Sequence, residues 1–185
     1  MKTDVMNIVL IGYRCSGKTT VGKILAHDLG RQFVDTDRLM EEETGLSIHS
    51  YVSQHGWRDF RRIEREVVEE IASKDNVVIA TGGGVVIDQE NVRALKKIGW
   101  VVWLHTDATV IRDRMRKEGK ANKLRPPLSG ADTLDEIDQI LQERRPFYEH
   151  ASDYTVDTNG QSPQEVVQVI MRALSRRDKN HQGGQ

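Results

Sequence analysis

One segment of the sequence has the residue types and spacing that bind nucleotide phosphates. Residues 12–19 read GYRCSGKT and match G-x-x-x-x-G-K-[ST] at every fixed position. Glycines let the backbone wrap a phosphate with its N–H groups pointing inward, the lysine reaches the β- and γ-phosphates, and the hydroxyl suits magnesium. An apolar run precedes the motif and a helical pattern follows it, as the motif requires. The segment therefore predicts a P-loop, and the alternative is a chance turn that caps a helix.

Two carboxylates follow the second apolar run of the chain. Asp35 and Asp37 lie two residues apart, directly after residues 32–34. Asp35 can hold a magnesium-bound water, because Mg²⁺ keeps much of its hydration shell and takes only one or two protein carboxylates. Asp37 would face an acceptor pocket, where a carboxylate can orient an attacking hydroxyl or take its proton. On its own, Asp37 fits equally well as the N-cap of a helix that starts at residue 38.

An arginine and a glutamate three residues apart share one face of a predicted helix. These are Arg61 and Glu64 in the segment FRRIE. The glutamate can hold the guanidinium toward an incoming carboxylate, which a planar arginine binds with two parallel hydrogen bonds. Such pairs are also ordinary surface ion pairs, and the spacing alone favours that interpretation.

Three consecutive glycines follow the third apolar run. Gly82, Gly83 and Gly84 come directly after Thr81. Glycines in a row cost backbone entropy and pack nothing, so such a loop is typical of a place where the backbone approaches a ligand closely. We interpret it as a substrate-contacting loop, and a plain flexible turn is the alternative.

Two further arginines stand near prolines. Arg125 lies in the polar segment 117–130, and Arg144 lies in ERRPFYE near the end of a helical pattern. A flexible segment that carries Arg125 can close over a nucleotide, exclude water and place a cation on the developing phosphoryl charge. Arg144 is a candidate second contact for an anionic substrate. The alternative is that residues 117–130 form a solvated loop whose charges only keep it soluble.

Five apolar runs of strand length must position these residues. They cover residues 7–11, 32–34, 77–80, 100–104 and 154–156, and segments of helical periodicity lie between them. Runs without polar alternation suit strands that helices cover on both faces, so we predict an α/β fold with a parallel sheet between helices. Two insertions, at 37–73 and 117–130, interrupt the alternation, and such folds build their sites at the carboxyl ends of strands.

Length and composition bound the remaining possibilities. A chain of 185 residues predicts one domain. Its 27 Lys and Arg balance 28 Asp and Glu, so we expect no nucleic-acid partner. No apolar run is long enough for a membrane span, and the apolar N-terminal stretch runs into the glycine loop, unlike a signal peptide. The single cysteine fits a cytoplasmic protein. We expect a monomer, with a disordered tail at 177–185.

Six motifs together resemble one enzyme family. GYRCSGKTT, FVDTD, FRRIE, TGGG, LRPPLSG and ERRPFYE, in this order and at these separations, resemble shikimate kinases, which are P-loop kinases of the nucleoside monophosphate kinase fold. The resemblance runs from about residue 7 to residue 174. It implies ATP-dependent phosphorylation of the shikimate 3-hydroxyl by a single domain at 1–176. The implied fold is a three-layer α/β/α sandwich of the P-loop NTPase type, with a five-stranded parallel sheet, a helical substrate-binding insertion at about 37–73 and a mobile lid at about 117–130.

The resemblance also implies a role for each candidate residue. The implied catalytic residues are Asp37, Lys18 and Arg125. The implied ATP contacts are Gly12, Cys15, Ser16, Gly17, Lys18, Thr19, Thr20, Arg114 and Arg125. The implied magnesium residues are Thr19 and Asp35. The implied shikimate contacts are Asp37, Arg61, Gly82, Gly83, Gly84 and Arg144. Trp57 departs from the family pattern, because an acidic residue is frequent at that position.

Two other functions fit part of the pattern. A gluconate or nucleoside monophosphate kinase of the same fold would keep Lys18 and Thr19 but need not combine Asp37 with two arginines. An ATP-binding regulatory module could lose Asp37 or Arg125, yet both are present. We therefore predict a shikimate kinase that uses ATP and Mg²⁺ and works mainly by positioning and charge neutralisation.

Overall fold

The five apolar runs form five parallel strands. The computed structural model describes residues 6–118 and 137–182. The strands are β1 (Asn7–Ile11), β2 (Gln32–Asp35), β3 (Val77–Ala80), β4 (Gly99–His105) and β5 (Tyr154–Asp157), in the spatial order β2-β3-β1-β4-β5. Val9 of β1 pairs with Ile79 on one side and Val101 on the other. The predicted five-stranded parallel sheet is confirmed, and the P-loop strand is central.

Helices cover both faces of the sheet. They are α1 (Lys18–Leu29), α2 (Thr36–Thr44), α3 (Ile48–Ile71), α4 (Gln89–Ile98), α5 (Ala108–Glu118), α6 (Ile137–Ala151) and α7 (Pro163–Gln182), with a 3-10 turn at Val85–Ile87. Successive strand residues face opposite sides. Ile8 and Leu10 therefore pack with α1 and α7, whereas Val9 and Ile11 pack with α3, α4 and α6. This arrangement confirms the three-layer sandwich.

The insertion after β2 consists of α2 and α3. These two helices have an apolar cluster of their own, which includes Met40, Tyr51, Phe60 and Ile63. The backbone of α3 is broken at Gly56, where φ is 79° and ψ is 169°. Such a conformation favours glycine because a Cβ would clash with the backbone. The break separates the first turns of α3 from the segment that begins with Trp57 and carries Arg61.

The C-terminal helix corrects one prediction. α7 continues to Gln182, so the expected disordered tail from residue 177 is wrong for residues 177–182. Arg177 explains part of the difference, because its guanidinium lies 5.9 Å over the Trp100 ring and 3.5 Å from the Met6 sulfur. The predicted lid begins inside α5, and Arg125 lies outside the described residues. Among the helices of the described ranges, none is both long and apolar enough to cross a membrane.

Candidate active site

The P-loop connects β1 to α1 through an unusual backbone. Gly12, Cys15 and Gly17 all have positive φ angles, of 146°, 59° and 98°. A Cβ on Gly12 would lie 2.7 Å from the carbonyl oxygen of Leu104, so this position excludes any side chain. Turns of this kind point consecutive N–H groups toward one concave surface, where they can bind an anion.

The side chain of Lys18 lies inside this loop. Its Nζ donates hydrogen bonds to the carbonyl oxygens of Gly12 (2.7 Å) and Tyr13 (2.8 Å), and it lies 3.4 Å from Ser16 Oγ. The residue is only 8% exposed. An ammonium group can only donate hydrogen bonds, so acceptors are its partners. Here the loop carbonyls are those acceptors, and they hold the charge in place.

Asp35 joins the P-loop to the start of α2. One carboxylate oxygen accepts a hydrogen bond from Thr19 Oγ1 at 2.9 Å. The other accepts from the backbone N–H of Asp37 at 3.1 Å and from that of Arg38 at 3.5 Å. Asp35 is therefore the N-cap of α2, which starts at Thr36, two residues earlier than predicted. The alternative interpretation of Asp37 as the cap is therefore wrong.

A broad pocket opens above the P-loop. The residues that line it include Cys15, Ser16, Gly17, Lys18, Thr19, Thr20, Asp35, Asp37 and Arg114. Arg114, on α5, donates a hydrogen bond from Nη1 to the carbonyl oxygen of Cys15 at 3.0 Å. The structure thus brings together every predicted ATP and magnesium residue in the described ranges around one cavity, except Gly12. The Thr19 hydroxyl and the Asp35 carboxylate supply oxygen ligands, the kind that Mg²⁺ prefers.

The glycine loop is held from two sides. The N–H of Gly82 donates to Thr36 Oγ1 at 3.0 Å. The carbonyl oxygen of Gly83 accepts from the Tyr148 hydroxyl at 2.6 Å and lies 3.4 Å from Arg144 Nη1. Thr36 and Tyr148 are both buried. The loop is therefore fixed against α2 and α6, which excludes the alternative of a plain flexible turn.

A second pocket lies between this loop and the inserted helices. The residues that line it include Tyr13, Asp37, Trp57, Arg61, Glu64, Gly82, Gly83, Gly84 and Arg144. All predicted substrate contacts therefore face one cavity, although they come from α2, α3, α6 and the loop after β3. A Cβ on Gly84 would lie 2.8 Å from Arg61 Nη1 and 2.9 Å from Arg61 Cζ. Only glycine leaves room for the guanidinium at this position.

A buried carboxylate orients Arg61. Its Nη1 lies 2.6 Å from Glu64 Oε2, and the Glu64 side chain is 1% exposed. Burial raises the pKa of the Glu64 carboxyl, and the charge of Arg61 opposes that rise. The Arg61 guanidinium also lies 5.5 Å from the centre of the Trp57 ring and 5.4 Å from that of Phe60. The interpretation of this pair as ordinary surface decoration is therefore wrong.

Arg144 and Asp37 complete the second pocket. The Arg144 guanidinium lies 5.6 Å from the centre of the Tyr13 ring. Asp37 lines both pockets, and its Oδ1 would lie 2.8 Å from a Cβ on Gly82. One carboxylate thus stands at the junction of an anion-binding loop and a cavity with two guanidinium groups.

Three positioning residues were missed by the sequence prediction. Thr36 and Tyr148 hold the glycine loop, and Tyr13 supplies the ring beside Arg144. Tyr148 follows Arg144 by four residues, a spacing that places both on one helix face and was a usable signal. Thr36 and Tyr13 carry no such signal, because their contacts join distant parts of the chain.

The comparisons with known proteins agree with this geometry. A family model described as "Shikimate kinase" matches residues 14–175. A relative named shikimate kinase from Symbiobacterium thermophilum is 46% identical over 172 residues, which cover 93% of this chain and 98% of the relative. One of the same name from Thermodesulfovibrio yellowstonii is 42% identical over 170 residues, covering 92% and 95% respectively.

A solved structure extends the similarity to three dimensions. The shikimate kinase from Acinetobacter baumannii in complex with shikimate matches with a TM-score of 0.87 at 34% identity, and 94% of each chain is covered. The family match, the relatives and this structure each span most of the chain. This chain belongs to the shikimate kinase family.

Proposed function

We propose that this chain transfers the γ-phosphoryl group of ATP to the 3-hydroxyl of shikimate, giving shikimate 3-phosphate and ADP. The observation that carries the proposal is the position of Asp37, which lines both the P-loop pocket and the pocket that contains Arg61 and Arg144. A kinase needs such a carboxylate where donor and acceptor meet. The family membership and the shikimate complex of the Acinetobacter baumannii relative support the choice of acceptor.

The P-loop pocket is the proposed ATP site. Lys18 would exchange its carbonyl partners for β- and γ-phosphate oxygens, and the loop N–H groups from Cys15 to Thr20 would bind the same phosphates. Arg114 would flank the nucleotide. Thr19 and Asp35 would hold Mg²⁺, directly and through a bound water. When bound, Mg²⁺ neutralises charge on the phosphates.

The second pocket is the proposed shikimate site. Arg61 and Arg144 would bind the carboxylate, because two guanidinium groups match one anion by charge and hydrogen-bond geometry. Glu64 holds Arg61 at 2.6 Å, so little freedom is lost when the substrate binds. The backbone of Gly82, Gly83 and Gly84 would contact the substrate on the opposite side.

Asp37 would orient the attacking hydroxyl in this arrangement. The hydroxyl oxygen forms a bond to the γ-phosphorus as the bond to the β,γ-bridging oxygen breaks, and Asp37 accepts the hydroxyl proton. The cations of Lys18 and Arg125 would offset the charge that develops on the transferred group. We assign Arg125 to a lid at about 117–130 within a single domain at 1–176; this residue lies outside the described ranges.

Identification of the product tests the proposal. Purified protein with Mg-ATP and shikimate is expected to yield ADP and a monophosphate ester, and phosphorus and proton NMR should place the phosphate on the 3-hydroxyl. Lys18→Met is the control, because it removes the ammonium group and keeps an unbranched side chain. A phosphate at another hydroxyl, or an equal yield from Lys18→Met, would contradict the assignment.

A further inference from the structure

Tyr148 makes a buried contact that the phosphoryl-transfer scheme does not use. Its hydroxyl donates to the Gly83 carbonyl oxygen at 2.6 Å, and its ring stacks on Trp103 with centroids 5.5 Å apart and planes 13° apart. The residue is 1% exposed. Burial raises its pKa, so the hydroxyl keeps its proton at neutral pH and remains a donor.

The same carbonyl oxygen has a second potential donor. Arg144 Nη1 lies 3.4 Å from the Gly83 oxygen, at the outer limit for a hydrogen bond. A charged donor normally approaches an acceptor to about 2.7–2.9 Å. A carbonyl oxygen has two lone pairs, so it accepts from both side chains, and the Tyr148 hydroxyl also accepts a side-chain hydrogen bond from Arg144. Its guanidinium stays at the edge of the substrate pocket.

Gly83 has little freedom to adjust by itself. A Cβ on this residue would lie 3.1 Å from the backbone nitrogen of Arg14 in the P-loop. The preceding residue is held by Thr36. The carbonyl of Gly83 therefore keeps these neighbours if the tyrosine hydroxyl is removed, and Arg144 is the group that loses a partner.

We propose that Tyr148 is a positioning residue that holds Arg144 at the edge of the proposed shikimate site, because its hydroxyl and the guanidinium share the carbonyl oxygen of Gly83. The proposal rests on the proposed function, because it assumes that Arg144 binds the substrate carboxylate. Tyr148 touches neither substrate nor nucleotide in this scheme. It acts through the arginine one helical turn earlier on α6.

Tyr148→Phe tests the proposal because it removes the hydroxyl and keeps the ring on Trp103. The Michaelis constant for shikimate should rise by about five- to tenfold, the equivalent of one ordinary hydrogen bond. The turnover number and the constant for ATP should stay within about twofold. Tyr154→Phe is the matched control, because Tyr154 stacks on Trp100 with centroids 5.5 Å apart in the opposite core layer and is expected to change neither constant.

A second background separates positioning from a structural role. In Arg144→Ala, Tyr148→Phe should raise the shikimate constant by less than about twofold, because the residue through which it acts is gone. If the shikimate constant of the double variant rose by the product of the two single-variant effects, the proposal would be overturned. The proposal would also be overturned if Tyr148→Phe left the shikimate constant unchanged, raised the Michaelis constant for ATP equally, or failed to fold. If wild-type protein fails to phosphorylate shikimate, the proposed function itself is refuted.

Discussion

A methyl group on Gly84 is expected to displace Arg61 within the second pocket, the proposed shikimate site. Gly84 has φ −107° and ψ 0°, a conformation that alanine adopts without strain. The added Cβ would lie 2.8 Å from Arg61 Nη1 and 2.9 Å from Cζ, and closer still to Nη2. An ordinary contact requires at least 3.4 Å, so the guanidinium must shift by about 1 Å. Gly84→Ala thus tests the role of Arg61 without altering its chemistry.

The size of the effect follows from what the displaced group would bind. A hydrogen bond to a charged group contributes about 1.5–3 kcal/mol, which corresponds to about a 10- to 150-fold change in affinity. Displacement by 1 Å weakens such a bond without abolishing it, so we expect the Michaelis constant for shikimate to rise by about 10- to 50-fold. Because the proposed partner of Arg61 is the carboxylate, away from the reacting hydroxyl, turnover at saturation should fall by less than about threefold. The crowding should cost about 1–2 kcal/mol of unfolding free energy.

A steady-state assay of ADP release measures both constants for shikimate and for ATP. The ATP constant is the internal control, because the P-loop pocket does not contain Gly84. Arg61→Ala supplies the matched background, in which Gly84→Ala should have almost no further effect. A shikimate constant within twofold of wild type, or a full effect in the Arg61→Ala background, would refute the assigned position of the guanidinium.

Three further perturbations address the other groups of the site. Asp37→Asn should leave ATP binding, measured by calorimetry, within about twofold and reduce turnover by about 10²- to 10⁴-fold; unchanged turnover would remove Asp37 from the reaction. Asp35→Asn should keep the thermal midpoint, because asparagine caps helices as well as aspartate, yet raise the Mg²⁺ concentration for half-maximal rate severalfold; an unchanged Mg²⁺ requirement contradicts its metal role. The Glu64 carboxyl binds its proton more tightly in the folded protein than in the unfolded chain, because burial raises its pKa above the ordinary 4.5. The unfolding free energy of the wild type minus that of Glu64→Gln should therefore fall as pH rises from about 4.5 through the pKa of the folded state. If denaturant unfolding gives the same free-energy difference at every pH, this prediction is contradicted.

The sheet could be predicted because its strands are unbroken apolar runs. The errors lie at the ends of elements, where tertiary contacts decide. β4 begins at Gly99 and ends at His105, one residue beyond the apolar run on each side. The last turns of α7 look like a polar tail, but Arg177 contacts Trp100 and Met6 from distant parts of the chain. Sequence patterns do not show which strand a terminal helix will lie beside.

In the candidate site, too, the residues of contiguous motifs could be predicted, whereas those that depend on tertiary contacts could not. Lys18 and Thr19 are predictable because the P-loop is contiguous and its spacing is specific. The choice for Asp37 between helix cap and catalytic carboxylate depended on a two-residue shift in the start of α2, which is within the error of such predictions. The contact of Tyr148 with Gly83 joins residues 65 positions apart. Its partner is decided by how α6 packs on the sheet.

The measurement that tests the central claim most directly compares acceptors. Purified protein with Mg-ATP is assayed for ADP release with shikimate, gluconate, each nucleoside monophosphate and no acceptor. The arrangement of Asp37 between the P-loop and the pair Arg61 and Arg144 predicts release that depends on shikimate alone. Release that is equal without an acceptor, or greater with gluconate or a nucleotide than with shikimate, would contradict the account.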